Sequence, residues 1–269
     1  MKPSDVPLAA ICADIERSCS LSIRNVEHIS LTARSAVYLA ETPNERMVLK
    51  LSANSSPTLT SAQEFQALQA VRIQGQVRAP VAVAHGKHLG VSWLLQEFLG
   101  GESLSSFFIS ETQCADDHLE DIFQAGQLLA KLHADAKTGH SAQRSLDHAL
   151  EVAAYNLENS LYDPDEFLGI APPGEIYEYL RTQRPDSLRE CLLHGDFRPK
   201  NILVQKNGQL ALIDWEHSFP GDPYYDLAVF AYYCSQDSVL TRFLDGYRLT
   251  AIDRERLRYF DLLSKLLNV

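Results

Sequence analysis

Three oxygen-bearing side chains in the second half of the sequence stand at spacings that could do chemistry together: Asp196, Asn201 and Asp214. Asp196 closes the tripeptide His194-Gly195-Asp196. A carboxylate and an amide oxygen are hard ligands suited to Mg²⁺. A second carboxylate can orient a hydroxyl and accept its proton. Phosphoryl transfer asks a protein for this set, because its demands are positioning and charge neutralisation more than covalent help.

Local elements must hold these groups. The apolar pair Leu192-Leu193 leads into the polar loop, and Ile202-Leu203-Val204 leads out. Lys206-Asn207-Gly208 is a hairpin turn signal, and Leu210-Ala211-Leu212-Ile213 runs into Asp214. Two short strands therefore present the three side chains at neighbouring ends.

Before this segment, the first hundred residues read mainly as short strands around one helix. Ile29–Leu31 and Val37–Ala40 form a hairpin-like unit, Met47–Leu51 a third strand after the turn at Pro43-Asn44. A polar stretch from Ser52 to Pro57 leads to a helix over about residues 61–73. Val81–Ala84 and Val91–Phe98 read as strands separated by a turn from Gly86 to Gly90. The apolar stretch from Val6 to Ala13 suits an amphipathic helix, with Leu8, Ile11, Cys12 and Ile15 on one face. After Gly100-Gly101 helical spacing dominates: Ile122, Gly126, Leu129 and His133 recur through Leu119–Ala134, and another helix covers about Leu146–Leu161. The pattern predicts two lobes joined near Gly100 with a cleft between them.

The bulk numbers narrow the field. The chain has 269 residues and a formal charge of −11, which argues against a nucleic-acid binder. That charge reads chiefly as solubility, with a cationic substrate as the other reading. No run approaches the ~20 apolar residues of a membrane helix, and the N-terminal stretch reads better as an amphipathic helix than as a signal peptide. Five cysteines, none in a C-x-x-C pair, read as reduced thiols in a cytoplasm.

Asp196 to Asn201 has the D-x-x-x-x-N spacing of the protein-kinase catalytic loop. With the glycine after His194, with Ile213-Asp214-Trp215-Glu216 and with Gly221-Asp222-Pro223-Tyr224-Tyr225-Asp226-Leu227-Ala228, the segment more specifically resembles the aminoglycoside phosphotransferase family. That family sits beside choline, ketosamine, homoserine and methylthioribose kinases. The resemblance implies an α+β, protein-kinase-like two-lobed fold, with a small β-rich N-lobe over residues 1–99 and a larger helical C-lobe over residues 100–269. It implies Asp196 as catalytic base, Asn201 and Asp214 as Mg²⁺ ligands, Asp226 as a carboxylate bracing the loop, and His194 as structural. Arg198 stands where protein kinases carry a lysine directed at the γ-phosphate; a clamp and a plain loop arginine are both open.

At the nucleotide end, the resemblance implies Lys50 on the α/β-phosphates with Glu64 as its partner. Glu64 also completes an S-x-x-E capping box with Ser61, so capping is the other reading. The phosphate-covering loop would be Leu31 to Val37, which has no glycine; Ser35 can donate a hydrogen bond there. Leu94–Leu104 resembles the inter-lobe hinge, with adenine meeting backbone near Glu97 and Leu99. No Walker-type motif is present.

The implied activity is transfer of the γ-phosphoryl group of ATP, with GTP also open, to a hydroxyl of a small molecule with Mg²⁺ as cofactor. Alternatives are a metabolic kinase of the choline, ketosamine or homoserine type and an inactive nucleotide-binding homologue. A protein kinase fits poorly, since only eleven residues separate Asp214 from Asp226 and no A-P-E follows. Acidic residues at 116, 117, 120, 121, 158, 163, 165 and 166 would greet a cationic acceptor or form solvated helix faces. Neither nucleic-acid nor membrane partners are expected, and the oligomeric state stays open.

Overall fold

The computed structural model describes residues 7–31, 35–53, 61–110, 113–114, 118–135, 137–138, 140–234 and 236–267. Thr32, Ala33 and Arg34 of the expected phosphate loop, most of the stretch from Ser52 to Pro57, and the acidic pair Asp116-Asp117 lie outside the described residues. The chain divides into two compact units: Met1–Gly101 with Ala211–Glu216, and Glu102–Leu210 with His217–Val269. No helix among the described residues is long and apolar enough to cross a membrane.

The first unit contains α1 (Leu8–Cys19), β1 (Asn25–Leu31), β2 (Ser35–Glu41), β3 (Arg46–Ala53), α2 (Ser61–Gln74), β4 (Ala82–His88) and β5 (Val91–Glu97). The strands form one antiparallel sheet in the order β1-β2-β3-β5-β4. Period-two alternation puts Ala36, Tyr38 and Ala40, then Met47, Leu49 and Leu51, then Val91, Trp93 and Leu95 into one core with Ile11 and Ile15 of α1. The Trp93 indole N–H donates to Asp14 at 2.9 Å, which satisfies its only polar group. Residues Val91 to Gln96 are all buried, as expected of a strand covered on both faces.

The sequence reading placed a turn across Gly86–Gly90, and the structure corrects it. β4 runs through Gly86 to His88, and the turn is only Leu89-Gly90, both at positive φ (48° and 82°). Gly86 is a close-approach residue: a Cβ there would lie 2.5 Å from the Trp93 ring.

The second unit holds β6 (Glu102–Ser103), a 3₁₀ turn at Leu104–Phe107, β7 (Phe108–Ser110) paired with β8 (Gln113–Cys114), α3 (Leu119–Leu132), β9 (Lys137–Thr138), α4 (His140–Glu158), a 3₁₀ turn at Pro164–Phe167 and α5 (Pro173–Thr182). Then come β10 (Arg189–Leu193), a 3₁₀ turn at Pro199–Asn201, and β11 (Ile202–Val204). β12 (Leu210–Leu212) carries the chain into the first unit and the 3₁₀ turn Trp215–His217 carries it back. β13 (Phe219–Gly221), α6 (Tyr224–Tyr233), α7 (Asp237–Tyr247) and α8 (Arg254–Leu267) complete the chain. β10 lies between β13 and β9, both antiparallel to it, and β11 pairs with β6. A core of Leu146, Leu150, Ala153, Ile176, Leu180, Leu193, Tyr225, Val229, Phe260 and Leu263 ties α4, α5, α6 and α8 to β10.

α3 and α7 approach unusually closely. A Cβ on Gly126 would fall 2.1 Å from the Phe243 carbonyl oxygen, and one on Gly246 would fall 2.0 Å from that of Phe123. The two glycines are reciprocal, each admitting the other helix's backbone.

Candidate active site

In the second unit β10 ends at Leu193 and delivers the loop His194-Gly195-Asp196. Gly195 has φ +81°, and a Cβ there would sit 1.9 Å from the His217 carbonyl oxygen, so only glycine fits. Asp226, fully buried in the first turn of α6, accepts the backbone N–H groups of His194 (2.8 Å) and Gly195 (2.9 Å). The loop's backbone is thus fastened to a helix by one carboxylate, which also gains from the positive end of that helix.

A residue the sequence reading took only as part of a helical face completes this anchor. His133, at the C-terminal end of α3, places Nε2 3.0 Å from Asp226 and Nδ1 3.0 Å from the Tyr247 hydroxyl. Burial with two polar partners marks it as a network residue. In sequence its only signal is a histidine ending an apolar helical stripe, which does not distinguish it from an ordinary core position.

Asp196 is 1% exposed. Its backbone N–H donates to His194 Nδ1 at 3.3 Å. Asn201 Nδ2 donates to both the Asp196 carbonyl (2.9 Å) and Asp196 Oδ2 (2.8 Å). Both partners are acceptors, which fixes the amide orientation and turns Asn201 Oδ1 away from Asp196. Arg198 Nε lies 2.7 Å from Asp196 Oδ1, but neither atom is aligned for a hydrogen bond, so the contact is coulombic. Arg198 also donates from Nη1 to the Tyr233 hydroxyl at 2.8 Å and lies 5.2 Å over that ring. Tyr233 carried no signal in the sequence.

In the first unit Lys50 Nζ lies 2.7 Å from Glu64 Oε1 and 2.6 Å from Asp214 Oδ1. Lys50 comes from β3, Glu64 from the first turn of α2, and Asp214 from the segment after β12. Burial alone would lower the Lys50 pKa, but Asp214, Glu64 and Glu216 outweigh it and hold the ammonium above the ordinary lysine value. Burial raises the Glu64 carboxyl, with Lys50 pulling against it. The capping-box reading of Glu64 does not survive. Ser61 is itself the first residue of α2, and its buried hydroxyl has no hydrogen-bond partner among the described residues. Asp214 has φ +68°, a conformation that non-glycine residues adopt rarely and aspartate tolerates better than most.

The expected hinge residues also lie in this unit. Glu97 holds Arg78 with both carboxylate oxygens, one of them 3.0 Å from Arg78 Nη1, and accepts the Val81 N–H at 3.1 Å. Partial burial pushes the Glu97 carboxyl up, but Arg78 and the Val81 N–H hold it below the usual range. The Glu97 N–H donates to the Val81 carbonyl at 2.9 Å, so that donor is already engaged. The Arg78 carbonyl in turn accepts the Leu212 N–H at 2.9 Å, which fastens the strand leading to Asp214. Leu99 is buried, and Ser35 opens β2 opposite Ser52.

A family model described as the phosphotransferase enzyme family matches residues 25–260. An aminoglycoside 3'-phosphotransferase of Enterococcus faecalis is 25% identical over 246 residues, covering 86% of this chain and 88% of that protein. The crystal structure of an aminoglycoside-3'-phosphotransferase of type VIII superposes with a TM-score of 0.69 at 21% identity, over 96% of this chain and 98% of that one. A choline kinase, LicA of Streptococcus pneumoniae, gives 0.66 at 18% identity over 97% and 87%. The likeness to these solved structures is one of fold: a β-sheet N-terminal region and a helical C-terminal region, as in kinase-like enzymes.

Proposed function

Because the chain belongs to the phosphotransferase enzyme family, we propose that it transfers the γ-phosphoryl group of ATP to a hydroxyl of a small molecule, with Mg²⁺ as cofactor. The observation that carries this reading is the locked catalytic loop. Asp226 holds its backbone and Asn201 holds one oxygen of Asp196, leaving the carboxylate pre-oriented at 1% exposure.

In this reading Asp196 orients the acceptor hydroxyl and takes its proton as the oxygen attacks the γ-phosphorus. The bond from that phosphorus to the β–γ bridging oxygen breaks, and ADP leaves. Arg198 neutralises charge on the transferring oxygens, for which the phosphate competes with Asp196. Lys50, oriented by Glu64, meets the α/β-phosphates. Ser35 and the backbone near Glu97 and Leu99 serve the rest of the nucleotide. His194 and Asp226 keep the loop in place.

In this reading Asn201 and Asp214 would each offer the metal an oxygen. The Asn201 amide nitrogen is spent on Asp196, so its oxygen is the atom offered, and Asp214 adds a charged oxygen. Mg²⁺ supplies positive charge against the phosphate oxygens. Residues 1–99 would serve the nucleotide and residues 100–269 the acceptor, in a cytoplasmic setting. ADP release should rise when a hydroxyl-bearing small molecule joins ATP and Mg²⁺. ADP release that ignores every small-molecule acceptor would sink the proposal.

A further inference from the structure

Helix α6 meets the catalytic loop along one face. Asp226, Phe230 and Tyr233 stand at i, i+4 and i+7, a spacing that lines them up on a single side of a helix. Asp226 accepts the His194 and Gly195 N–H groups. Phe230 packs on Phe197 with ring centroids 5.8 Å apart. Tyr233 takes the next loop side chain, Arg198, at its hydroxyl and its ring face. Resting on the phosphotransferase reading, we infer that Tyr233 is a positioning residue for phosphoryl transfer. It holds the Arg198 guanidinium beside the Asp196 carboxylate and keeps the two from closing into a hydrogen-bonded ion pair.

The Arg198 backbone is already fixed. Its N–H donates to the Asp196 carbonyl at 3.0 Å, and its carbonyl accepts the Asn201 N–H at 2.9 Å. The long side chain still has many rotamers, and something must select one. The carboxylate does not select it. Arg198 Nε and Asp196 Oδ1 are 2.7 Å apart, yet both atoms are buried without an aligned partner. The guanidinium's one aligned hydrogen bond among the described residues is the 2.8 Å bond to the Tyr233 hydroxyl. The ring adds a second hold, since a guanidinium is attracted to an aromatic face. On Asp196, Oδ2 accepts from Asn201, which leaves Oδ1 as the oxygen without an aligned donor. Oδ1 is then the oxygen left to take the proton of an acceptor hydroxyl. Without the Tyr233 hydroxyl, the guanidinium is free to turn an N–H onto Oδ1 and spend that oxygen. It is equally free to swing away and leave the buried carboxylate without the cation beside it. Either outcome slows transfer at Asp196 and leaves nucleotide affinity alone.

The test follows ADP release by the full chain with ATP and Mg²⁺, first with water as acceptor and then with kanamycin, choline, L-homoserine and glucose. Kinetic constants are taken with whichever acceptor gives the fastest release. Tyr233→Phe keeps the ring of a part-buried residue and removes only the hydroxyl, so the fold survives. It is expected to lower kcat about tenfold or more, the scale of a hydrogen bond to a charged group, with the KM for ATP unmoved. Arg198→Ala should lower kcat further. Adding Tyr233→Phe to it should cost nothing more, because the hydroxyl acts only through the guanidinium. Tyr224→Phe is the control: it removes a hydroxyl at the other end of α6, from a ring that lies 4.8 Å under Arg256, and should leave kcat unchanged. A Tyr233→Phe protein with parental kcat, or losses that multiply in the double variant, would make the inference wrong while the phosphotransferase reading stands. If neither water nor any probe supports ADP release, that reading falls and the inference with it.

Discussion

At the residue scale, the ion triplet of Lys50, Glu64 and Asp214 shows how buried charges depend on one another. Lys50 touches both carboxylates, so removing it takes a cationic partner from the buried Glu64 and from the part-exposed Asp214. Lys50→Ala and Glu64→Ala should each lower kcat/KM for ATP, Lys50→Ala more. Their double variant should fall short of the summed losses by about 0.5–3 kcal/mol, the usual coupling between contacting residues. Additive losses would separate the two roles. Asp214 offers a second comparison. Its φ of +68° favours glycine, so Asp214→Gly should be more stable than Asp214→Ala by about 1 kcal/mol. Both should lose Mg²⁺-dependent nucleotide binding more completely than Asn201→Ala, because a carboxylate brings charge where an amide brings a dipole. Magnesium titrations and denaturant midpoints on the three proteins check both statements. The residues proposed to touch reacting groups were the legible ones. Asp196, Asn201, Asp214 and Lys50 are polar residues set in or at the end of apolar runs, where a reader asks why they are there. His133, Tyr233 and Arg78 act through partners distant in sequence, and nothing local announces a partner.

At the element scale, glycine decides two close approaches. α3 and α7 meet backbone to backbone at Gly126 and Gly246. Gly126→Ala or Gly246→Ala forces the helices apart, at a cost on the order of 2–4 kcal/mol in the range of severe core changes. Because α3 carries His133 and α7 carries Tyr247, activity should fall along with the thermal midpoint. Unchanged melting in both variants would contradict the packing described. Strand and helix existence was readable from period-two and helical spacing; β2, β3 and α2 stand close to their expected places, while α1 runs on to Cys19, well past the expected Ala13. The β4–β5 turn was misplaced because Gly86 looked like a breaker. Its actual role, making room for the Trp93 ring, is set by a residue on the neighbouring strand.

At the scale of the whole molecule, the family match spans residues 25–260, while the motif that first suggested it occupies a small part of that length. Acceptor choice was not legible in the sequence. The net charge of −11 reads first as solubility and does not say which groups line an acceptor pocket. Between Asp214 and Asp226 the chain is filled by a 3₁₀ turn, β13 and the start of α6, which fits a small acceptor. The central claim is that Asp196 takes the proton as ATP phosphorylates a small-molecule hydroxyl. The most direct test compares Asp196→Asn with the parent protein, measuring label transfer from γ-labelled ATP to a small-molecule panel and, separately, nucleotide affinity. The account predicts transfer slowed by about 10²–10⁴, the usual contribution of a general base, with nucleotide affinity retained. Near-normal transfer by the Asp196→Asn protein, or label appearing in polypeptides and in no small molecule, would contradict it.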